Sequence, residues 1–171
     1  MEATMPDTTD IGGVPRNSGE SSRADSSATE SERVLFARVS ESAISVEECA
    51  AAVEGPGSGA VVTFAGVVRD HDEGRGVVAL SYSAHPSASE VIGAVALEVA
   101  RAHPAVVLAV AHRVGDLGIG DVALACAVAS AHRAEAFAAC ASLVDEVKKK
   151  VPIWKEQAFE DGTSEWVASI G

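Results

Sequence analysis

The chain has 171 residues and a formal net charge of −12 at pH 7; 47% of its residues are hydrophobic but only 4% are aromatic. Its length suits one domain with some excess, and its core must be built mainly from Ala, Val and Leu. Residues 1–33 hold seven acids and three arginines, leaving 18 acids against 10 bases in the remainder, a balance that argues against the basic stripe of a nucleic-acid-binding module.

Cys49, Cys126 and Cys140 are an odd number of cysteines without CxxC spacing, which speaks against a disulfide framework or a zinc site and for buried spectator thiols. No apolar run approaches the roughly 18 residues of a membrane span. The N-terminus lacks the apolar core of a signal peptide, so the chain reads as cytoplasmic.

Residues 1–32 are rich in Ser, Thr, Asp, Glu and Gly. Such a segment cannot bury enough surface to offset its ordering entropy, and a disordered extension is expected, with the domain occupying 33–171. VLFARV, from Val34, has strand character. Ser45 and Glu48 fit a capping box opening a short helix to about Val53, and the glycines at 55, 57 and 59 read as a connector. Residues 60–68, AVVTFAGVV, form an apolar strand. With VVALSYSA beyond the Glu73-Gly74 turn they suggest an antiparallel hairpin. Ser87 to Glu90 fit a second capping box before a helix ending near Pro104. AVVLAVAHRV and VALACAVAS then make a second hairpin around GDLGIGD, whose glycines suit positive φ angles. A helix follows from about His132 to Pro152, and short segments containing Lys155 and Trp166 close the chain. The pattern predicts an α+β fold: an antiparallel or mixed sheet of hairpins with three helices packed against it.

Lysine placement stands out. All four lysines (Lys148, Lys149, Lys150 and Lys155) fall within one eight-residue span, and the other nine basic side chains are arginine. The three consecutive lysines complement the C-terminal end of a helix dipole, and at about 100° per residue they cannot all face one pocket. Lys155 follows Ile153 and Trp154, which read as apolar anchors of the segment, and is a candidate for proton transfer or attack on a carbonyl. At the other end of the helix, His132 and Arg133 sit where free N–H groups favour an anion; they are either a phosphate site or a capping histidine beside a solvated arginine. Arg69 leaves a strand for a loop of Asp, His and Gly, where it either binds a ligand or pairs with Asp70 or Asp72.

Four stretches, GVVRDHDEGRGVVAL, HRVGDLGIGD, SAHRAEAF and KKKVPIWKEQ, occur in an order and spacing that resembles the catalytic (large) subunit of molybdopterin synthase, from roughly Val34 to Val167. The resemblance implies that Lys148 and Lys155 are catalytic and that Arg69, His132 and Arg133 bind substrate. It implies conversion of cyclic pyranopterin monophosphate to molybdopterin, with two sulfurs installed as a dithiolene. The sulfur would come from the C-terminal thiocarboxylate of a small ubiquitin-like subunit. A homodimer of large subunits within a heterotetramer is implied, with no cofactor and no metal. The chain departs from the family at Tyr82-Ser83-Ala84-His85, where an acidic residue and a second tyrosine are usual. That departure keeps a second reading open: a non-catalytic protein that retains the fold and docks a ubiquitin-like partner.

Overall fold

The computed structural model describes residues 28–168. Residues 1–27 of the expected extension lie outside the described residues, whereas 28–32 are part of the ordered chain. Thr29 caps a one-turn helix, α1 (Glu30–Arg33): its hydroxyl accepts from the Glu32 amide and the Glu32 carboxylate accepts from the Thr29 amide at 2.8 Å. Arg33 then donates to the carbonyls of Ala100 and His103, at 2.6 and 3.2 Å, which satisfies acceptors at a helix end that would otherwise lack partners.

Beyond α1 the order is β1 (Val34–Ser40), α2 (Val46–Val53), β2 (Ala60–Val67), β3 (His71–Asp72), β4 (Arg75–Ala84), α3 (Ala88–Ala102), β5 (Val106–Arg113), β6 (Gly115–Leu117), β7 (Val122–Ser130), α4 (Arg133–Lys150), β8 (Ile153–Phe159) and β9 (Ser164–Ala168). The expected α+β class is borne out, and so is the pairing of β5 with β7. The first sheet has the order β1-β5-β7-β2; β1 runs parallel to β5 and the other pairs are antiparallel.

This sheet is covered on both faces, and the period of two in its sequence assigns them. Leu108 and Val110 on β5, with Leu124, Cys126 and Val128 on β7, join a core with α3 and α4 that includes Ile92, Val95, Leu143 and Val147. The buried alternate residues are alanine: Ala109, Ala111, Ala125, Ala127 and Ala129 pack against Ile44, Cys49 and Val53 of the α2 region. Small side chains on that face let the short helix lie close to the sheet. All three cysteines are free and buried; Cys126 and Cys140 face each other with sulfurs 3.8 Å apart.

The first expected hairpin is overturned. β2 pairs with β7, from Ala60↔Ser130 to Val67↔Val122, and β4 pairs with β8 in a second sheet of order β3-β4-β8-β9, with β6 also on β4. The chain changes sheets at Val68. Its amide donates to Asp121 O and its carbonyl accepts from Gly120 N, both at 2.9 Å, while its side chain is buried with Leu80, Leu117 and Ala123. Only the tip remains a two-stranded ribbon, His71 and Asp72 against Gly76 and Arg75.

Two caps also differ from expectation. Ser45 accepts from the Glu48 amide at 3.2 Å, but the Glu48 carboxylate takes Arg38 at 2.6 Å instead of closing a capping box. Ser87 makes no side-chain cap: its backbone is already helical, at φ −79° and ψ −5°, and its hydroxyl lies on His85 Nδ1 at 2.8 Å. Gly115 and Gly120 adopt the expected positive φ, 90° and 89°. Among the described residues, no helix is long and apolar enough to cross a membrane.

The connector glycine Gly59 has a packing role: a Cβ there would collide with the carbonyl oxygen of Ala131, just before α4. Gly59→Ala should therefore lower stability by roughly 1–3 kcal/mol. Gly57→Ala, which projects into open space, should stay within about 0.5 kcal/mol of wild type. Denaturant midpoints of the two variants check the pair.

Candidate active site

A cavity of about 410 Å³ opens where the two sheets meet, and Arg69, Lys148 and Lys155 all line it. Each arrives from a different element. Arg69 follows the sheet change at Val68, Lys148 stands in the last turn of α4, and Lys155 lies on β8 opposite Tyr82 of β4. Helical rotation separates the three consecutive lysines as expected. Lys148 is half-buried at the cavity and Lys149 is exposed, while Lys150 pairs with Glu98 at 2.5 Å and Glu146 at 2.8 Å. Trp154 is not the anchor the sequence suggested: strand alternation buries Ile153 and leaves Trp154 40% exposed.

Other groups shape the cavity. Asp72 accepts from Arg69 Nη2 at 3.0 Å, from Lys155 Nζ at 3.3 Å and from Gln157 Nε2 at 2.6 Å. The Gln157 hydrogen bond, with the neighbouring Lys155 and Arg69, holds its carboxyl below the usual carboxylate range against the opposing effect of burial. The pairing of Arg69 with Asp72 is one of the two simple roles open to that arginine from sequence. His112, at the end of β5, is 4% exposed and meets the Tyr82 ring edge-on at 5.2 Å. Its Nδ1 donates to Arg113 O at 2.8 Å, so the neutral ring has an unprotonated Nε2. Burial, aided by the charge of Lys148, pushes its pKa down.

His132 and Arg133 lie elsewhere. His132 is the N-cap residue of α4 but makes no side-chain cap; both residues are exposed and line a separate hollow with Gly59, Ala131 and Ala134. From Arg133 to Lys148 the helix rises about 22 Å at 1.5 Å per residue. One chain therefore gathers Arg69, Lys148 and Lys155 but not the His-Arg pair. Among the described residues, no group of three or more His, Cys, Asp or Glu side chains could hold a metal ion.

The family model for MoaE protein matches residues 39–150, a span that runs from the end of β1 through α4 and stops before β8 and β9. The chain belongs to the MoaE family. It is 41% identical over 130 residues to a molybdopterin synthase catalytic subunit from Nostoc, covering 75% of this chain and 78% of that relative. A catalytic subunit from Mycobacterium tuberculosis is also 41% identical, over 77% of this chain and 90% of the relative. The crystal structure of molybdopterin synthase from Staphylococcus aureus superposes with a TM-score of 0.72 at 32% identity, covering 77% of this chain and 96% of that one.

Against the MoaE pattern quoted above, the two departures at Ser83 and His85 fall outside the cavity. Both residues are exposed, and His85 is occupied with Ser87. Tyr82, which lines the cavity, is present. Among the polar cavity residues, sequence reasoning left His71, His112 and Gln157 without a role and gave Asp72 only that of an ion-pair partner for Arg69. Their common signal was membership of the stretches that carry the MoaE resemblance; what brings them together is pairing between distant strands.

The lowered pKa of His112 gives a stability prediction with a definite sign. The unfolded chain binds a proton at this imidazole more readily than the folded one, so stability rises with pH and is lost as pH falls through the unfolded value of 6.5. The denaturant midpoint should decline as pH drops from about 7 to about 5. In His112→Asn the decline over the same range should be smaller, as measured by equilibrium unfolding at each pH.

Proposed function

We propose that the cavity is the sulfur-transfer site of a molybdopterin synthase catalytic subunit working in the cytoplasm. The observation that carries this reading is the convergence of Arg69, Lys148 and Lys155 on one cavity of an otherwise acidic chain. The substrate, cyclic pyranopterin monophosphate, brings a phosphate, and the donor brings the thiocarboxylate at the end of a small ubiquitin-like subunit. Both are anions, and clustered cations in a partly desolvated site attract them and stabilise charge that develops during reaction.

Sulfur attacks an oxygen-bearing side-chain carbon of the pterin while still attached to the donor's acyl carbon, and the carbon–oxygen bond it replaces breaks, the oxygen leaving as water or staying on the phosphate. Water then cleaves the acyl–sulfur bond, leaving sulfur on the product and a carboxylate on the donor. Arg69 binds the phosphate through its planar fork of donors. Lys148 and Lys155 transfer protons and polarise the acyl carbonyl as sulfur leaves. Repeating the transfer completes the dithiolene.

His132 and Arg133 join this scheme through a second copy. Their distance from Lys148 along α4 keeps them out of their own chain's cavity, so in a homodimer they serve the cavity of the neighbouring subunit. A small subunit on each side completes a heterotetramer. The competing reading, a docking protein without turnover, drew on Ser83 and His85. Their exposure outside the cavity removes the reason to prefer it.

In single-turnover assays with the thiocarboxylated small subunit, Lys148→Ala and Lys155→Ala should each lower product formation by about 100-fold or more. Binding of the small subunit should persist in both. Binding without product from the wild type would favour the docking protein instead.

A further inference from the structure

The place between Arg69 and Lys155, where the proposed function puts an anion, is filled by an anion of the chain itself. Asp72 gives one carboxylate oxygen to Arg69 and the other to Lys155 and Gln157. Among the described residues it is the ion-pair partner of each of these two cations. A phosphate gripping the same guanidinium would stand against the Asp72 oxygens, and two anions sharing those donors repel.

Several features set this pair apart from a fixed brace. Asp72 belongs to β3, a two-residue strand at the edge of the second sheet that is laddered only to Arg75 and Gly76. Its turn, Glu73-Gly74, has φ of 48° and 80°, and Glu73 has the one positive φ at a non-glycine among the described residues. The contact with Lys155 is 3.3 Å, long beside the roughly 2.7–2.9 Å of a strong charge-assisted bond. The contact with neutral Gln157 is only 2.6 Å. Gln157 therefore gives the carboxylate a partner that no incoming anion competes for.

We propose that Asp72 is an internal counter-anion that occupies the seat between Arg69 and Lys155 at rest and yields it to the phosphate of the substrate. While the site is empty, the carboxylate keeps both cations gathered at the cavity. When phosphate enters, Asp72 gives up Arg69 and Lys155 and stays on Gln157. Asp72 is thus a positioning residue, and it opposes ligand binding. The proposal rests on the reading of this cavity as a phosphate-binding active site.

Titration of the full-length protein with inorganic phosphate, followed by calorimetry, tests it. Asp72→Asn keeps the shape of the side chain and removes the charge. It should bind phosphate about tenfold more tightly than wild type, the worth of one charge-assisted hydrogen bond freed for the ligand. Arg69→Ala combined with Asp72→Asn should lose that gain. Asp72→Glu, which keeps the charge, should stay within about twofold of wild type. Unchanged or weaker binding by a folded Asp72→Asn protein would overturn the displacement, because a brace that merely holds the cations in place weakens binding when cut.

The single-turnover assay separates this outcome from failure of the functional reading. An active wild type whose Asp72→Asn variant gains no affinity overturns the displacement alone. An inactive wild type whose Asp72→Asn variant gains affinity in an Arg69-dependent way overturns the sulfur-transfer reading and leaves the counter-anion standing.

Discussion

The cavity depends on what happens at one residue. Val68 ends its strand's partnership with β7 and bonds through both backbone groups to the turn that precedes β7, while its side chain enters the cluster of Leu80, Leu117 and Ala123. If β2 had continued into a hairpin with β4, the two strands would lie in one sheet and no cleft would separate them. By crossing instead, the chain starts a second sheet and leaves Arg69 at the seam. β6 then stitches that sheet to the end of β5 through Leu80↔Leu117 and Tyr82↔Gly115. That stitch places Tyr82 against His112, and the β4–β8 register sets Lys155 opposite Tyr82. The cavity's polar wall is thus a consequence of non-local pairing, with each strand fixing the next.

Helix α4 imposes the second constraint. Its buried residues Ala136, Ala139, Cys140, Leu143 and Val147 hold it along the first sheet, so its two ends cannot approach each other. The lysine end faces the cavity and the His-Arg end faces another hollow. A rigid rod of this kind turns a list of functional residues into a statement about assembly. If both ends act on one substrate, as proposed above, they come from two chains.

Local features were readable from the sequence because they depend on neighbours along the chain. The apolar run VALACAVAS reads as a strand, two of the three GDLGIGD glycines adopt the positive φ expected of them, and helical rotation shows that Lys148, Lys149 and Lys150 cannot share one pocket. Failures began where a choice depended on distant residues. The AVVTFAGVV and VVALSYSA segments look like a hairpin from their spacing, and nothing local reveals that β7 and β8 offer each a better partner. Ser87 has the residues of a cap, but His85 competes for its hydroxyl. Ile153 and Trp154 both read as anchors, but strand parity turns only Ile153 inward. Arg69 and Lys155 were legible as candidates from their positions, and Lys148 through the family resemblance. Asp72 was visible only as a possible ion-pair partner, because Gln157 reaches it across 85 residues of chain.

The most direct test of the account is a subunit-mixing experiment. Lys155→Ala and Arg133→Ala proteins, each inactive alone, would be unfolded together, refolded as mixed dimers, and assayed for sulfur transfer. A cavity that takes its lysines from one copy and its His-Arg pair from the other predicts that a mixed dimer has one intact site. Random pairing should then restore activity to about a quarter of wild type, because half the dimers are mixed and each has one of two sites intact. Activity no greater than that of the two parents would contradict the account and place every working residue of a site within a single chain.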